Sequence, residues 1–138
     1  MDRSAIVRLG QLARSTVADQ RGGASLLSTS RPAADAHDLA TSVWCGLIGE
    51  AIVGYGLVTV REARAEITEF FVEPDARGVG VGDLLLSSIT AWSAAAGCSD
   101  LDASALPGDR ATKNFFEAHR MTSRLLIVSR RLGDSADA

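Results

Sequence analysis

The residues best suited to chemistry lie between positions 66 and 85. Glycines alternate at Gly78, Gly80 and Gly82, directly ahead of a run in which apolar residues recur at helical spacing. Glycine lets a backbone approach a ligand closely and reach positive φ, and the start of a helix leaves N–H groups unpaired and bearing part of a positive charge. Together these features make a cradle for a diphosphate. The same glycines would also serve a tight turn that holds no ligand. Two common phosphate motifs fail at named positions. A dinucleotide fingerprint counted from Gly78 needs its third glycine where the chain has Asp83, and no Walker-type lysine follows the glycines. Upstream, Glu66 and Glu69 are carboxylates inside a strand-like run, a residue type able to accept a proton from an attacking nucleophile. Strand alternation sets them on opposite faces unless a bulge intervenes, so one of them is expected to reach a substrate. The competing reading makes both solvent-facing partners of Arg61 and Arg64.

Other reactive residue types offer less. Cys45 and Cys98 are too few and too far apart for a disulfide scaffold or a zinc site, so no metal is expected and a reducing cytoplasm is the default. His37 reads as a solvated loop residue and His119 as a residue of a helix end. The sole tyrosine, Tyr55, reads as sheet packing, and the phenylalanines and tryptophans read as core, with Phe71 and Trp44 also suited to lining a ligand. The formal net charge of -3 argues against whole-molecule attraction to nucleic acid or an anionic membrane. Arg3, Arg8 and Arg14 interrupt the N-terminal apolar residues, which excludes a secretory h-region, and no apolar run approaches the roughly 18 residues that span a bilayer. A chain of 138 residues, 46% hydrophobic, supports one compact domain over residues 1–138 with one site.

The elements that must position these residues follow from periodicity. Ile6, Leu9, Ala13 and Val17 mark one face of a helix from Asp2 to about Gln20, ended by Gly22-Gly23. Residues 24–41 lack a clear period and read as a loop with one helical turn near 33–40. Ser42 to Ile48 and Ala51 to Val60 form an antiparallel pair joined by a type II′ turn at Gly49-Glu50. Arg61 to Ala65 is a charged turn, and Glu66 to Val72 a third strand, stopped by Pro74. A helix from Gly80 to Ala96 buries Leu85, Ile89, Trp92 and Ala96 and stops at Gly97. Leu101 to Leu106 is a short strand, Arg110 to His119 a helix capped by Asp109, and Thr122 to Leu132 a last strand before a fraying tail, 133–138. Strand, glycine turn, helix, strand is a crossover unit, so the third and fourth strands should be parallel within an otherwise antiparallel sheet.

The loop Arg77-x-x-Gly80-x-Gly82 resembles the phosphate-loop signature of the GNAT superfamily of acyl-CoA N-acyltransferases, (Arg or Gln)-x-x-Gly-x-(Gly or Ala). The resemblance runs over about residues 43–132. Ala51-Ile52-Val53-Gly54-Tyr55 is similar to that family's second-to-third strand hairpin, Ile67 to Val72 followed by Pro74 to its fourth strand, and Arg110 to Met121 to its penultimate helix. The resemblance implies an α+β (mixed α/β) fold: a central, mostly antiparallel sheet with one parallel strand pair splayed around the cofactor, flanked by helices. Residues 1–41 would be a helical N-terminal part, 43–132 the cofactor-binding core and 133–138 a tail. The family's first strand is not evident, and one C-terminal strand stands where many members have a hairpin. These gaps leave sheet edges for a second subunit to cover, which implies a homodimer.

By the same resemblance the protein transfers an acetyl group from acetyl-CoA to a primary amine of a small molecule or a protein, by direct attack in a ternary complex. Coenzyme A would be held by Arg77, Gly78, Val79, Gly80, Val81 and Gly82, by the strand backbone of Phe70, Phe71 and Val72, and by Asn114 of the downstream helix. The Val72 N–H would serve as oxyanion donor. Glu66 occupies the position of the catalytic carboxylate of the resembling histone acetyltransferases, with Glu69 as its rival. The usual acid, a tyrosine in the run Tyr-Glu-x-x-Gly-Phe, is written here Phe116-Glu117-Ala118-His119-Arg120-Met121. Phe116 cannot donate a proton, although a thiol with a pKa of about 8.5 departs with little help. The competing implication is a catalytically silent CoA-binding or interaction module that kept the cradle and lost the acid. Glu50, Glu62, Glu66 and Glu69 near the expected mouth would favour a cationic amine.

Overall fold

The computed structural model describes residues 3–18, 41–130 and 132–133. It contains α1 (Arg3–Ala18), β1 (Thr41–Ile48), β2 (Ala51–Arg61), β3 (Arg64–Val72), a 3₁₀ turn (Pro74–Ala76), α2 (Val81–Ala95), β4 (Asp100–Ala103) and α3 (Arg110–Ala118). The helical turn expected near 33–40, and His37 with it, lie outside the described residues. The sheet order is β1-β2-β3-β4. β1 with β2 and β2 with β3 are antiparallel, and β3 with β4 is parallel. This is the α+β arrangement the sequence leads one to expect, with one parallel pair produced by the crossover through α2.

The two hairpins are tight. Gly49 alone supplies the positive φ, 58°, at the β1–β2 turn, as a type II′ turn requires. The β2–β3 turn is shorter than the charged stretch suggests: only Glu62 and Ala63 lie between the strands, with Glu62 at φ 55°, so β3 begins two residues earlier than expected. Arg64 then sits beside β4, 2.7 Å from Asp102 and 3.4 Å from Asp100.

Each face of the sheet carries its own core. On one face α1 lays Ile6, Leu9 and Ala13 over Tyr55, Leu57 and Phe71. On the other, Leu85, Leu86 and Ile89 of α2 and Phe116 of α3 cover Val58, Ala65 and Ile67. The buried stripe of α2 continues through Ser93 rather than Ala96, which is exposed at the helix end. Trp44 and Trp92 pack against each other at 5.6 Å, with Trp44 donating to the Ser42 hydroxyl, so Trp44 is a packing residue. Phe71 lies in the α1 core.

α2 approaches the sheet over strand positions that lack a Cβ. A Cβ on Gly56 would stand 2.8 Å from Ile89 Cδ1 and 3.5 Å from Phe70. Gly56→Leu should therefore overpack this interface and destabilise the protein by about 1–3 kcal/mol, read as a lower urea midpoint with an unchanged m-value.

The largest departure from expectation is at the C-terminal side. Thr122 to Arg130 form no strand, and each of these residues is exposed. A strand exists only through its ladder, and this segment pairs with no neighbour among the described residues.

Candidate active site

Pro74 stops β3, and the 3₁₀ turn that follows brings the chain round into the glycine loop. Gly78 and Gly80 both take the left-handed conformation, φ 82° and 88°. Gly80 is the N-cap of α2, and no side chain caps the helix there. The first amides of α2 are thus left to a ligand or to water. A Cβ on Gly78 or Gly80 would meet nothing within 4 Å, so the loop's outer side is not filled by the protein's own side chains. Gly82 serves packing instead. A Cβ there would press on the Phe115 ring at 3.3 Å, so its absence lets α3 close on the start of α2. An open apolar hollow of about 360 Å³, lined by Leu47, Ile48, Val79, Gly80, Val81 and Leu84, adjoins the loop.

Two acidic residues beside the loop, Glu73 and Asp83, lie against a cation or a potential cation. Glu73 lies 3.4 Å from Arg8. Asp83, in the first turn of α2, lies 2.8 Å from His119 Nε2, while His119 Nδ1 is 2.7 Å from the Phe115 carbonyl. His119 is the C-cap of α3 and joins that helix to α2, as its expected place at a helix end allows. Asp109 caps the other end of α3 through Thr112 N–H and Thr112 Oγ1.

Next to the loop the sheet opens. β4 pairs with β3 only from Arg64↔Asp100 to Ile67↔Ala103, so β3 beyond Ile67 has no ladder neighbour on that side among the described residues. Glu73 N–H donates to the Val53 carbonyl of β2 at 2.7 Å. Since backbone direction alternates along a strand, the N–H groups of Val72 and Phe70 point away from β2, into this gap. The carbonyl of Val72 is closed off by Arg77, whose Nε donates to it at 2.8 Å while its guanidinium lies 5.4 Å from the Phe71 ring centre. The Arg77 side chain therefore fixes the strand end. Phe70, Phe115 and Phe116 stack across the gap at 5.3–5.7 Å, and Phe116, where the tyrosine hydroxyl would be, is buried. Asn114 is exposed, one residue before Phe115.

The two carboxylates of β3 share a face because β3 bulges. Leu57 pairs with Glu69 but Val58 with Ile67, which leaves Thr68 as the extra residue. Glu69 and Glu66 stand opposite Leu57 and Thr59, two apart on β2 and so on the α1 side. Glu66 is exposed. Glu69 is enclosed: its side chain is 14% exposed, Oε1 lies 3.7 Å from Arg14 Nη1, and Oε2 is buried without a hydrogen-bond partner. Burial pushes its carboxyl above the ordinary carboxylate range, with Arg14 pulling the other way. The neighbouring Tyr55 hydroxyl is also buried without a well-formed hydrogen bond, and burial together with the Glu69 charge raises it far above the usual tyrosine range.

The structure thus gathers Phe70 to Val72 and Arg77 to Gly82 at one corner of the sheet. Glu50 and Glu62 do not join Glu66 and Glu69 at one mouth, because they occupy the turns at opposite ends of β2. Arg14, the bulge at Thr68 and the Asp83–His119 contact are parts of the site that sequence reasoning misses. Of these, only the bulge has a sequence signal: the apolar alternation Ala65, Ile67, Phe70, Val72 slips by one residue at Thr68-Glu69.

The family model of the acetyltransferase (GNAT) family matches residues 14–120, which include both carboxylates, the loop and α3. The chain belongs to the GNAT acetyltransferase family. Members of this family are acyl-CoA-dependent N-acetyltransferases with acetyl-CoA as co-substrate. Solved structures share the fold at low identity. A tetramutant of the BH1408 protein from Bacillus halodurans superposes with a TM-score of 0.79 at 18% identity, covering 95% of this chain and 94% of that one. An aminoglycoside acetyltransferase from an uncultured soil metagenomic sample, in complex with sisomicin, gives 0.72 at 16%, covering 97% and 91%. A ribosomal-protein-alanine N-acetyltransferase from Brucella melitensis biovar Abortus 2308 gives 0.69 at 14%, covering 95% and 94%. No curated protein matches the chain. Among the described residues no helix is long and apolar enough to cross a membrane.

Proposed function

We propose that this GNAT protein transfers the acetyl group of acetyl-CoA to a primary amine of a cationic small molecule or of a protein, in a ternary complex. The observation that carries this reading is the uncapped start of α2, opened by two left-handed glycines, at the end of a strand whose outward N–H groups have lost their neighbour. That combination fits coenzyme A: helix-end amides for a diphosphate, and strand amides for the amide-bearing arm that follows it. Acetyl-CoA supplies the acyl group as a thioester.

The N–H groups at the start of α2, with Gly78 to Gly82, hold the diphosphate. The Val72 N–H donates to the oxygen that becomes negative when the amine nitrogen attacks the carbonyl carbon. Glu69 accepts the proton that nitrogen gives up, its buried, unpartnered Oε2 being the acceptor. The C–N bond forms as the C–S bond breaks, and the thiolate takes up a proton from solvent. Phe116 provides none, which a good leaving group tolerates. Glu66, exposed on the same face, draws in the ammonium form of the acceptor, which gives one proton to solvent before the neutral amine attacks; the proton that Glu69 accepts is the second. We further propose that the protein works in the cytoplasm as a homodimer.

The sisomicin-bound relative and the ribosomal-protein-alanine acetyltransferase act as a guide to acceptors for the assay, one polyamine-like and one an N-terminal peptide amine. Incubation with acetyl-CoA and a panel of both kinds should release free CoA with at least one cationic amine. The missing hydroxyl at Phe116 favours a second reading, a CoA-binding module without turnover. Tight acetyl-CoA binding with no release across the panel would select it.

A further inference from the structure

His119 stands between two groups that only accept hydrogen bonds. Its Nδ1 lies 2.7 Å from the Phe115 carbonyl oxygen, one of the last acceptors of α3, and its Nε2 lies 2.8 Å from Asp83 Oδ1. A neutral imidazole has one N–H and one acceptor nitrogen, whereas the imidazolium has two donors. The charged ring therefore satisfies both contacts, and the neutral ring leaves a nitrogen lone pair facing an oxygen. Two further features suit a positive ring. It is the C-cap of α3, the negative end of that helix, and it packs on the Phe115 ring at 4.5 Å.

Asp83 is the only charged residue of α2 and falls in its first turn. Leu84 N–H donates to the Gly80 carbonyl at 3.0 Å, the first bond of the helix, so the amides of Val81, Gly82 and Asp83 lie ahead of it. A carboxylate three residues after an uncapped start is well placed to fold back on such a helix end, and its charge opposes any anion bound there. Asp83 turns to α3 instead, where among the described residues His119 is its ion-pair partner. Of the charged residues that flank His119 in the chain, Glu117 is bonded to Lys113 and Ser123, and Arg120 is a cation like the ring itself. β3 meets α3 through the apolar Phe70.

We propose that His119, as an imidazolium, is a positioning residue for the coenzyme: it draws the Asp83 carboxylate away from the α2 amides and neutralises it, which couples acetyl-CoA binding to a proton on this ring. The proposal rests on the reading that the start of α2 receives the diphosphate. Histidine as a residue type changes charge between about pH 5 and 8. At the acid end of that range the ring is charged and the cradle is cleared. At the alkaline end Asp83 is left unneutralised beside the diphosphate, and the coenzyme binds less tightly.

Calorimetric titration with acetyl-CoA at a pH of about 6 and of about 8 tests this coupling. The phosphate monoester of the coenzyme ionises in the same range, so each variant is compared with the parent at the same pH. His119→Ala should weaken binding by about three- to tenfold at the lower pH and by much less at the higher. Asp83→Asn, at a side chain 66% exposed, should bind at least as tightly as the parent at both. Combined with His119→Ala it should restore the parent affinity at the lower pH, a rescue that a merely structural role would not give, since the double variant lacks both sides of the contact. Parent affinity in His119→Ala at the lower pH overturns the proposal, and so does weaker binding by Asp83→Asn or a double variant no better than His119→Ala. An NMR titration separates this failure from that of the underlying reading. Amides of Gly78 to Asp83 that shift with acetyl-CoA while His119→Ala binds like the parent refute the coupling alone; amides that do not shift overturn the cradle and the coupling together.

Discussion

Gly80→Val should weaken acetyl-CoA binding by tenfold or more. Gly80 sits at φ 88°, a conformation that costs an L-residue about 1–3 kcal/mol and a β-branched one the upper part of that range. The loop relieves this strain by rotating, and rotation re-aims the amides of Val81 and Gly82 away from the diphosphate. Each 1.4 kcal/mol of lost interaction is a factor of ten in affinity. A Cβ at Gly80 meets nothing within 4 Å, so the loss does not come from a clash inside the protein. Gly97 supplies the control. It has φ 89° at the other end of the same helix and equally open space around it. Gly97→Val should lower the melting temperature comparably while acetyl-CoA affinity, measured by calorimetry, stays at the parent value.

The second large effect concerns Glu69. Glu69→Gln should reduce kcat by about 10²- to 10⁴-fold, the usual contribution of a general base, with acetyl-CoA affinity nearly unchanged. The pH profile carries the same assignment. Because burial raises the Glu69 carboxyl above its ordinary range, kcat/KM should fall on the acid side at a higher pH than an exposed carboxylate would give. The effect on stability has the opposite sign. A carboxyl whose folded-state pKa is raised holds its proton more tightly folded than unfolded. Its contribution is therefore fully present below the ordinary carboxylate pKa and is lost as pH rises through the folded value. At a pH of about 8 the charged Glu69 burdens the fold, and Glu69→Gln should melt at the same or a higher temperature than the parent, with the gap closing toward a pH of about 4. Glu66→Gln should instead raise KM for a cationic acceptor and leave kcat nearly intact. If Glu66→Gln abolishes turnover and Glu69→Gln does not, the two roles are reversed.

Much of this site was legible in the chain because its parts are local. Gly78 and Gly80 act through backbone conformation and through the start of the helix that follows them, and both are written in consecutive residues, whereas the Arg77 side chain turns to the Val72 carbonyl and Gly82 makes room for Phe115. The parallel pair was legible too, since a crossover through α2 forces β4 parallel to β3; the opening beside it was expected only from the family resemblance, and β4 stops at Ala103 rather than at Leu106. Long-range neighbours were not legible. Arg14 reaches Glu69 only because α1 packs on Tyr55 and Leu57, and His119 reaches Asp83 only because Gly82 admits Phe115. Neither contact has a spacing that could be read along the chain. The bulge at Thr68 stands between these cases, visible as a slip in alternation but decisive only once the register shows Glu66 and Glu69 on one face. The last strand failed as an expectation because strand propensity in Thr122 to Leu132 states what the segment can form, not what it pairs with.

The proposed acetyl transfer requires that backbone amides from Gly78 to Gly82, continued by those of Phe70 and Val72, receive coenzyme A. An amide-resolved NMR titration of the labelled protein with acetyl-CoA reads those groups one by one. Saturation should shift the amides of Gly78 to Asp83 and of Phe70 to Val72 far more than those of Gly97 or the β1–β2 turn. Saturable binding that leaves the Gly78 to Asp83 amides where they were would place the coenzyme elsewhere and refute this cradle.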